Sequence, residues 1–195
     1  SQIMANLPYV KGVRIGIKLP DTVNIMIEEE SVVYAIKSSD GQWWMMDSDG
    51  RVVEQANNAK AATATQVLGV TLEAPTVNEK GVATEMTPSE TNELGELIPV
   101  STTGAQRLTA ALQILKALEN NDIVGEAASV DVTSTEDIIL WYGTRYQVNL
   151  GDTSRLDYKV DCMNDAILQM SDYQSGVLDI SFTIWPNQVG YTPFA

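Results

Sequence analysis

The amino-acid sequence predicts an α+β fold, a mixed and largely antiparallel sheet with two packed helices. Three observations lead there. Short apolar runs of period two recur along the chain, two stretches instead space their apolar residues by three and four, and Asp-Gly or Pro-Asp steps sit between neighbouring runs where hairpins need them.

Ile3 to Tyr9 reads as the tail of a helix, halted at Pro8 because a proline disfavours helix in the residue before it. Val13, Ile15 and Ile17 then alternate with Arg14, Gly16 and Lys18, the pattern of a half-buried strand, and Pro20-Asp21 turns the chain into Val23, Ile25 and Ile27. A meander follows, with strands at Val32 to Ile36, Trp43 to Met46 and Val52-Val53. Its turns are Ser38-Ser39-Asp40-Gly41 and Asp47-Ser48-Asp49-Gly50, whose glycines supply positive φ. Asn57 to Ala64 reads as a loop, Val67 to Val70 as a strand, and the polar run Thr76 to Glu96 as a surface excursion.

Gln106 to Leu118 is predicted helical, since Leu108, Ala111, Leu112, Leu115 and Leu118 make one apolar stripe that should pack on the sheet. Strands are expected at Val130 to Val132, Ile138 to Tyr142 and Tyr146 to Leu150. Leu156, Val160, Met163, Ile167 and Met170 mark a second amphipathic helix, for which Asp152, Thr153 and Ser154 are all N-cap candidates. Val177 to Phe182 is expected as the last regular element, ahead of Trp185-Pro186 and a tail through Tyr191.

With 195 residues and 44% apolar content the chain can bury a substantial core. Its 26 acidic residues against 12 basic ones give a formal charge of −14, which repels nucleic-acid phosphates and anionic membrane surfaces. Histidine is absent, which removes imidazole acid/base chemistry, Ser-His and Cys-His nucleophiles and most zinc sites. The lone Cys162 cannot form an internal disulfide, and beside Val160, Met163, Ile167 and Met170 it reads as a buried structural thiol. No run of about 18 apolar residues and no signal peptide are visible, and the abrupt start at Ser1-Gln2 suits the soluble piece of a membrane-anchored protein.

Asp47, Asp49 and Gly50 fail as an EF-hand loop, which needs glycine sixth and glutamate twelfth; the twelfth residue here is Asn58, and a hairpin turn is expected. Glu28 and Glu29 are neighbours on a strand and point to opposite faces, so they cannot straddle one glycosidic bond. Trp43 and Trp44 alternate likewise, one toward the core and one outward. No catalytic residue, cofactor or metal site is predicted. Two alternatives are a cell-wall carbohydrate module that stacks sugars on Trp43, Trp44 and Trp185, and a histidine-free carboxylate glycosidase.

One resemblance organises these elements. Leu7-Pro8-Tyr9-Val10, one strand, then Leu19-Pro20-Asp21-Thr22 and an alternating strand resemble the end of the POTRA domain of the FtsQ/DivIB cell-division proteins. Asp47-Ser48-Asp49-Gly50-Arg51-Val52, Val67-Leu68-Gly69-Val70, Val148-Asn149-Leu150-Gly151 with Lys159, and Gly176-Val177-Leu178-Asp179-Ile180-Ser181-Phe182 are similar to further motifs of that family, in the same order. The chain departs from the pattern at Glu30 and Val32, where relatives carry arginine and proline, and at Ser181, where many carry a basic residue.

The resemblance implies a partial POTRA unit (helix, strand, strand) over residues 1–30 and the family's β domain over 31–195. It implies a non-enzymatic scaffold on the extracytoplasmic face of the bacterial membrane at the division septum, anchored by a transmembrane helix outside this chain. The implied partners are FtsB/DivIC- and FtsL-type division proteins. They would bind through the C-terminal sheet edge at Asp179, Ile180, Ser181, Phe182 and Trp185.

Overall fold

A computed structural model of the chain describes residues 9–18, 21–29, 33–85, 102–184 and 186–194. It is an α+β structure with a two-stranded sheet and a nine-stranded sheet. Strands β1 (Val10–Lys18) and β2 (Thr22–Glu29) form the first as an antiparallel hairpin. The second contains β3 (Tyr34–Ser38), β4 (Trp43–Met46), β5 (Val52–Ala56), β6 (Gln66–Leu72), β7 (Ala127–Asp131), β8 (Ile138–Tyr142), β9 (Tyr146–Gly151), β10 (Gly176–Asp179) and β11 (Gly190–Pro193). Their spatial order is β11-β10-β9-β8-β7-β6-β3-β4-β5. The β10/β9, β7/β6 and β6/β3 pairs are parallel and the others antiparallel, so the sheet is mixed and mostly antiparallel.

The parallel steps require crossovers, and two of them are helices. Helix α2 (Gly104–Asn120) links the β6 side to β7, and α3 (Leu156–Leu168) links β9 to β10. Thr103 opens α2 with a capping box: its hydroxyl accepts from Gln106 N–H at 3.2 Å, and the Gln106 side chain accepts from Thr103 N–H at 2.8 Å. Leu108, Ala111, Ile114, Leu115 and Leu118 of α2 and Val160 and Met163 of α3 are buried in one core with the sheet. Removing each of these leucine, isoleucine, valine and methionine side chains from water contributes about 1.5–3 kcal/mol.

Register makes that core continuous. Trp44 pairs with Ile36, Ile36 with Val67, Val67 with Val130, Val130 with Leu140, Leu140 with Val148, Val148 with Leu178, and Leu178 with Tyr191. One apolar row thus crosses eight strands beneath the helices. On the other face of β3 to β5, Ala35, Met45 and Val53 form a smaller cluster roofed by the one-turn helix α1 (Asn58–Ala61).

Four expectations change. Asn57 to Ala64 is not all loop, because the Asn57 side chain accepts from Lys60 N–H at 2.9 Å and caps α1. None of Asp152, Thr153 and Ser154 caps α3: the N-cap position is Arg155, left-handed at φ 56°, while Asp152 bonds Ser154 and Lys159. The last strand ends at Asp179, and a further strand, β11, follows it. The β1/β2 hairpin does put Val13, Ile15, Ile17, Val23, Ile25 and Ile27 on one face, but from Ile15 to Ile27 that face is open, with Ile17 78% exposed. The helix expected at Ile3 to Tyr9 lies, apart from Tyr9, outside the described residues, as does 86–96 of the expected excursion.

Polar contacts also tie helices to the sheet: Arg107 of α2 donates to the Gly69 carbonyl of β6 at 3.2 Å. Glu119 at the end of α2 accepts from the buried Tyr34 hydroxyl at 2.9 Å and from Ser48 Oγ at 2.7 Å. Lys159, 1% exposed, sends its ammonium to the Asp152 carbonyl at 2.8 Å and carboxylate at 2.9 Å. The Ser154 hydroxyl and then the Lys159 ammonium hold the Asp152 carboxyl down at about 2.

Replacing Glu119 by leucine removes the acceptor of Ser48 and the closer acceptor of Tyr34, whose hydroxyl keeps the Leu115 carbonyl at 3.4 Å, and urea denaturation should show a loss of about 1–3 kcal/mol. Lys116→Ala, which removes only the exposed ion pairs to Asp49 and Glu119, should change stability by less than about 0.5 kcal/mol. At the other clamp, Asp152→Asn leaves the buried Lys159 without its counter-charge and should cost about 2 kcal/mol, less than for a fully buried pair because the Asp152 side chain is 58% exposed. The folded carboxyl titrates below its unfolded value of about 3.9, so its contribution is complete above about pH 4 and lost as pH falls through about 2. Stability measured from pH 5 to pH 2 should therefore fall more steeply for the native chain than for Asp152→Asn.

Candidate functional site at the open sheet edge

The site is built where β10 leaves the sheet. Gly176 opens that strand, and a side chain there could not fit: a Cβ would stand 2.3 Å from the Thr192 carbonyl oxygen. Glycine is what lets β11 close onto β10. Tyr191 then lays its ring against the core and donates its hydroxyl to the Ser175 carbonyl at 3.1 Å, while Phe194 stacks on Trp141 of β8 with ring centroids 6.2 Å apart.

Asp179 terminates β10 chemically. Its Oδ1 accepts from Ser181 N–H at 3.0 Å and Ser181 Oγ at 2.7 Å, an Asx turn that diverts the backbone from the ladder. Ile180 is fully buried and still donates its N–H to the Asn149 carbonyl at 2.9 Å. Ser181 packs over Gly151, where a Cβ would come within 2.8 Å of the serine Cβ. Phe182 follows at φ 59°, half-buried, its ring 5.6 Å from that of Tyr158. Trp185 lies outside the described residues.

Asp179, Ile180, Ser181 and Phe182 are therefore together, but they form the exit of an internal strand. The edge itself is β11. Phe194 N–H donates to the Ser175 carbonyl at 3.1 Å, so the hydrogen-bonded pairs of the ladder fall at 175/194, 177/192 and 179/190. Tyr191 is left pointing both its N–H and its C=O outward, and Pro193 presents an outward carbonyl without a donor.

The opposite edge is covered along Gly50 to Val52. Val52 of β5 donates to Glu79 O and accepts from Asn78 N, both at 2.8 Å, and Gly81 N–H reaches Gly50 O at 2.8 Å. Further along, the Glu54 carboxylate is gripped by the Tyr9 hydroxyl and the Lys60 ammonium, which outweigh the effect of burial and hold it below its ordinary value. Among the described residues, no backbone bonds to the outer side of β11, at the other edge of the nine-stranded sheet.

Sequence reasoning missed β11 and Arg155. Gly190-Tyr191-Thr192-Pro193 offers one apolar residue and a proline, too little alternation to mark a strand, although Gly176 signals a close backbone approach. Arg155 sits over Phe182 with its guanidinium carbon 5.5 Å from the ring centre.

The other candidates resolve as turns and packing. Asp47 accepts from the backbones of Asp49 and Arg51 and from Arg51 Nε, which makes the hairpin turn. Trp44 joins the main core while Trp43 joins the smaller cluster on the other face, with Lys37 4.9 Å over its ring, so the two make no common stacking surface. Among the described residues no three metal-ligating side chains cluster, and no helix is long and apolar enough to cross a membrane.

No family model matches the chain. It is similar to the cell division protein DivIB of Clostridium tetani, 25% identical over 185 residues that cover 93% of the chain and 62% of that protein. It is also similar to the cell division protein DivIB of Clostridium acetobutylicum, 34% identical over 65 residues covering 33% of the chain and 26% of that protein. The chain thus spans less than two thirds of the relatives it matches. The first of these matches runs over nearly the whole chain, so that most of the described strands lie in a sequence similar to DivIB cell-division proteins.

Proposed function

We propose that this chain is the extracytoplasmic part of a non-enzymatic division scaffold that receives FtsB/DivIC- and FtsL-type partners at the septum by strand addition to β11. The observation that carries this reading is the asymmetry of the sheet. One edge is covered by residues 78–81 and the Tyr9-Glu54-Lys60 contact, whereas the other ends on Tyr191 with its backbone groups outward. An unpaired edge is a template for another chain, and proteins that do not use one cover it.

The apolar row supports the same docking. It runs beneath the helices to Tyr191 and stops, so an added strand would continue it with an apolar side chain opposite that tyrosine. Asp179 to Phe182, with Trp185 beyond, would flank the docked strand and shape its end. In this reading residues 1–30 are the end of a POTRA unit and 31–195 the β domain. The separate β1/β2 sheet and its open apolar face support that division, because two strands alone are marginally stable and a POTRA helix would cover them.

Hydrogen exchange of the chain mixed with the extracytoplasmic region of the DivIC-type protein from the same genome should show new protection at Val189 to Pro193, above all at the Tyr191 amide. Protection confined to other strands would refute edge addition. Phe182→Asp places a charge at the border of the edge and should abolish capture of that partner while thermal melting stays cooperative; undiminished capture would remove Phe182 from the site.

A further inference from the structure

Three described non-glycine residues with left-handed backbones meet at one place: Arg155 at φ 56°, Phe182 at φ 59° and Asn187 at φ 56°. Arg155 Nη1 donates to Asn187 Oδ1 at 3.0 Å, and its guanidinium carbon lies 4.4 Å from the Tyr158 ring centre and 5.5 Å from that of Phe182. Asn187 stands three residues before β11, and Phe182 three residues after β10. The cation is thus fixed at the mouth of the loop that feeds the open edge. Left-handed backbone is a conformation that glycine adopts freely and arginine does not, and such strain persists where surrounding contacts over-determine it.

The charge is also uncommitted. Arg51, Lys60, Lys116, Arg145 and Lys159 each have a carboxylate within 4.0 Å, whereas Arg14, Lys18, Lys37, Lys80 and Arg155 have none among the described residues. Arg155 is exposed, and its guanidinium bonds the Asn187 amide and the Tyr158 hydroxyl and lies beside the Tyr158 and Phe182 rings, with donors of the fork left over. Asp152, three residues before it, is engaged by Lys159 and Ser154. A stacked, pre-oriented guanidinium with free donors suits a carboxylate, which it can hold by two parallel hydrogen bonds.

We propose that Arg155 is a specificity-determining residue of the docking edge, reading an aspartate or glutamate on the partner segment that pairs with β11. The proposal rests on the reading of β11 as the docking edge and adds the chemistry that the partner must carry. Loss of the positive charge removes a charge-assisted contact worth a factor of about 10 to 100 in affinity. Lysine, a point charge without the planar fork, restores only part of it.

The test is calorimetric titration of the chain with the extracytoplasmic region of the DivIC-type protein from the same genome. Arg155→Gly is the first variant, since glycine accepts the left-handed backbone and the domain should still melt cooperatively. It should bind about 10- to 100-fold more weakly and show a flatter dependence on salt. Arg155→Glu should bind more weakly still, and exchanging one acidic residue of the partner strand for lysine should recover affinity for Arg155→Glu while reducing it for the native chain. That exchange separates a charge contact from a merely structural role in holding the loop. Native-like affinity of Arg155→Gly, or failure of every acidic-to-lysine exchange to rescue Arg155→Glu, would overturn the proposal. Hydrogen exchange in the same complexes distinguishes the two failures: protection at β11 with an indifferent Arg155 retains the edge and rejects the arginine, whereas no protection at β11 in the native complex rejects the edge and the arginine's role with it.

Discussion

The register of the large sheet is the constraint on which the rest depends. Ile36, Val67, Val130, Leu140, Val148 and Leu178 are fully or almost fully buried and lie directly opposite one another, strand to strand, under α2 and α3. A slip of one residue in any strand would turn its apolar set away from the helices. The sheet holds this row across parallel and antiparallel steps by placing irregularities where they do not break it. Gly69, left-handed at φ 82°, lies within β6 where the pairing to β3 shifts, and a Cβ there would meet the Thr133 backbone nitrogen at 2.3 Å. Glycine is required because the chain after β7 passes that closely.

The helix stripes and the central strands were legible in the sequence, since burial on one side imposes a period that can be read directly. Leu108, Ala111, Leu115 and Leu118 are all buried, and Ile138 to Tyr142 is a strand with the expected bounds. What could not be read depended on contacts between distant segments. β11 is a strand because Gly176 admits it and because Tyr191 and Phe194 find partners across the sheet, none of which its own four residues announce. The N-cap position of α3 falls on Arg155, while Asp152 is taken by Lys159. The alternation in β1 and β2 was real, yet alternation reports which residues share a face and not whether anything covers it.

The same logic applies to the candidate site. Asp179 to Phe182 drew attention as a motif, and they lie where β10 leaves the sheet, but the motif's chemistry is largely that of strand termination. Its aspartate makes a turn, its isoleucine fills the core, and its serine fits over Gly151. Only Phe182 reaches outward, to Tyr158 and Arg155. The unpaired backbone belongs to residues without a motif. An edge that binds through its main chain places few demands on side-chain identity, so it leaves a weak trace in sequence.

The covered edge and the open one are also linked through the first hairpin. Tyr9, which leads into β1, packs on the cluster of Ala35, Met45, Val53 and Ala61, donates its hydroxyl to Glu54 and receives a hydrogen bond from Lys60 at 3.2 Å. The contact that joins the two sheets therefore occupies the flank of β5. With strands spaced about 4.8 Å apart, eight steps put β11 on the order of 40 Å from that junction. The first hairpin and β11 then fall at opposite ends of one continuous hydrogen-bonded sheet, and a strand that added to β11 as proposed would lengthen the sheet without competing with the first hairpin for an edge.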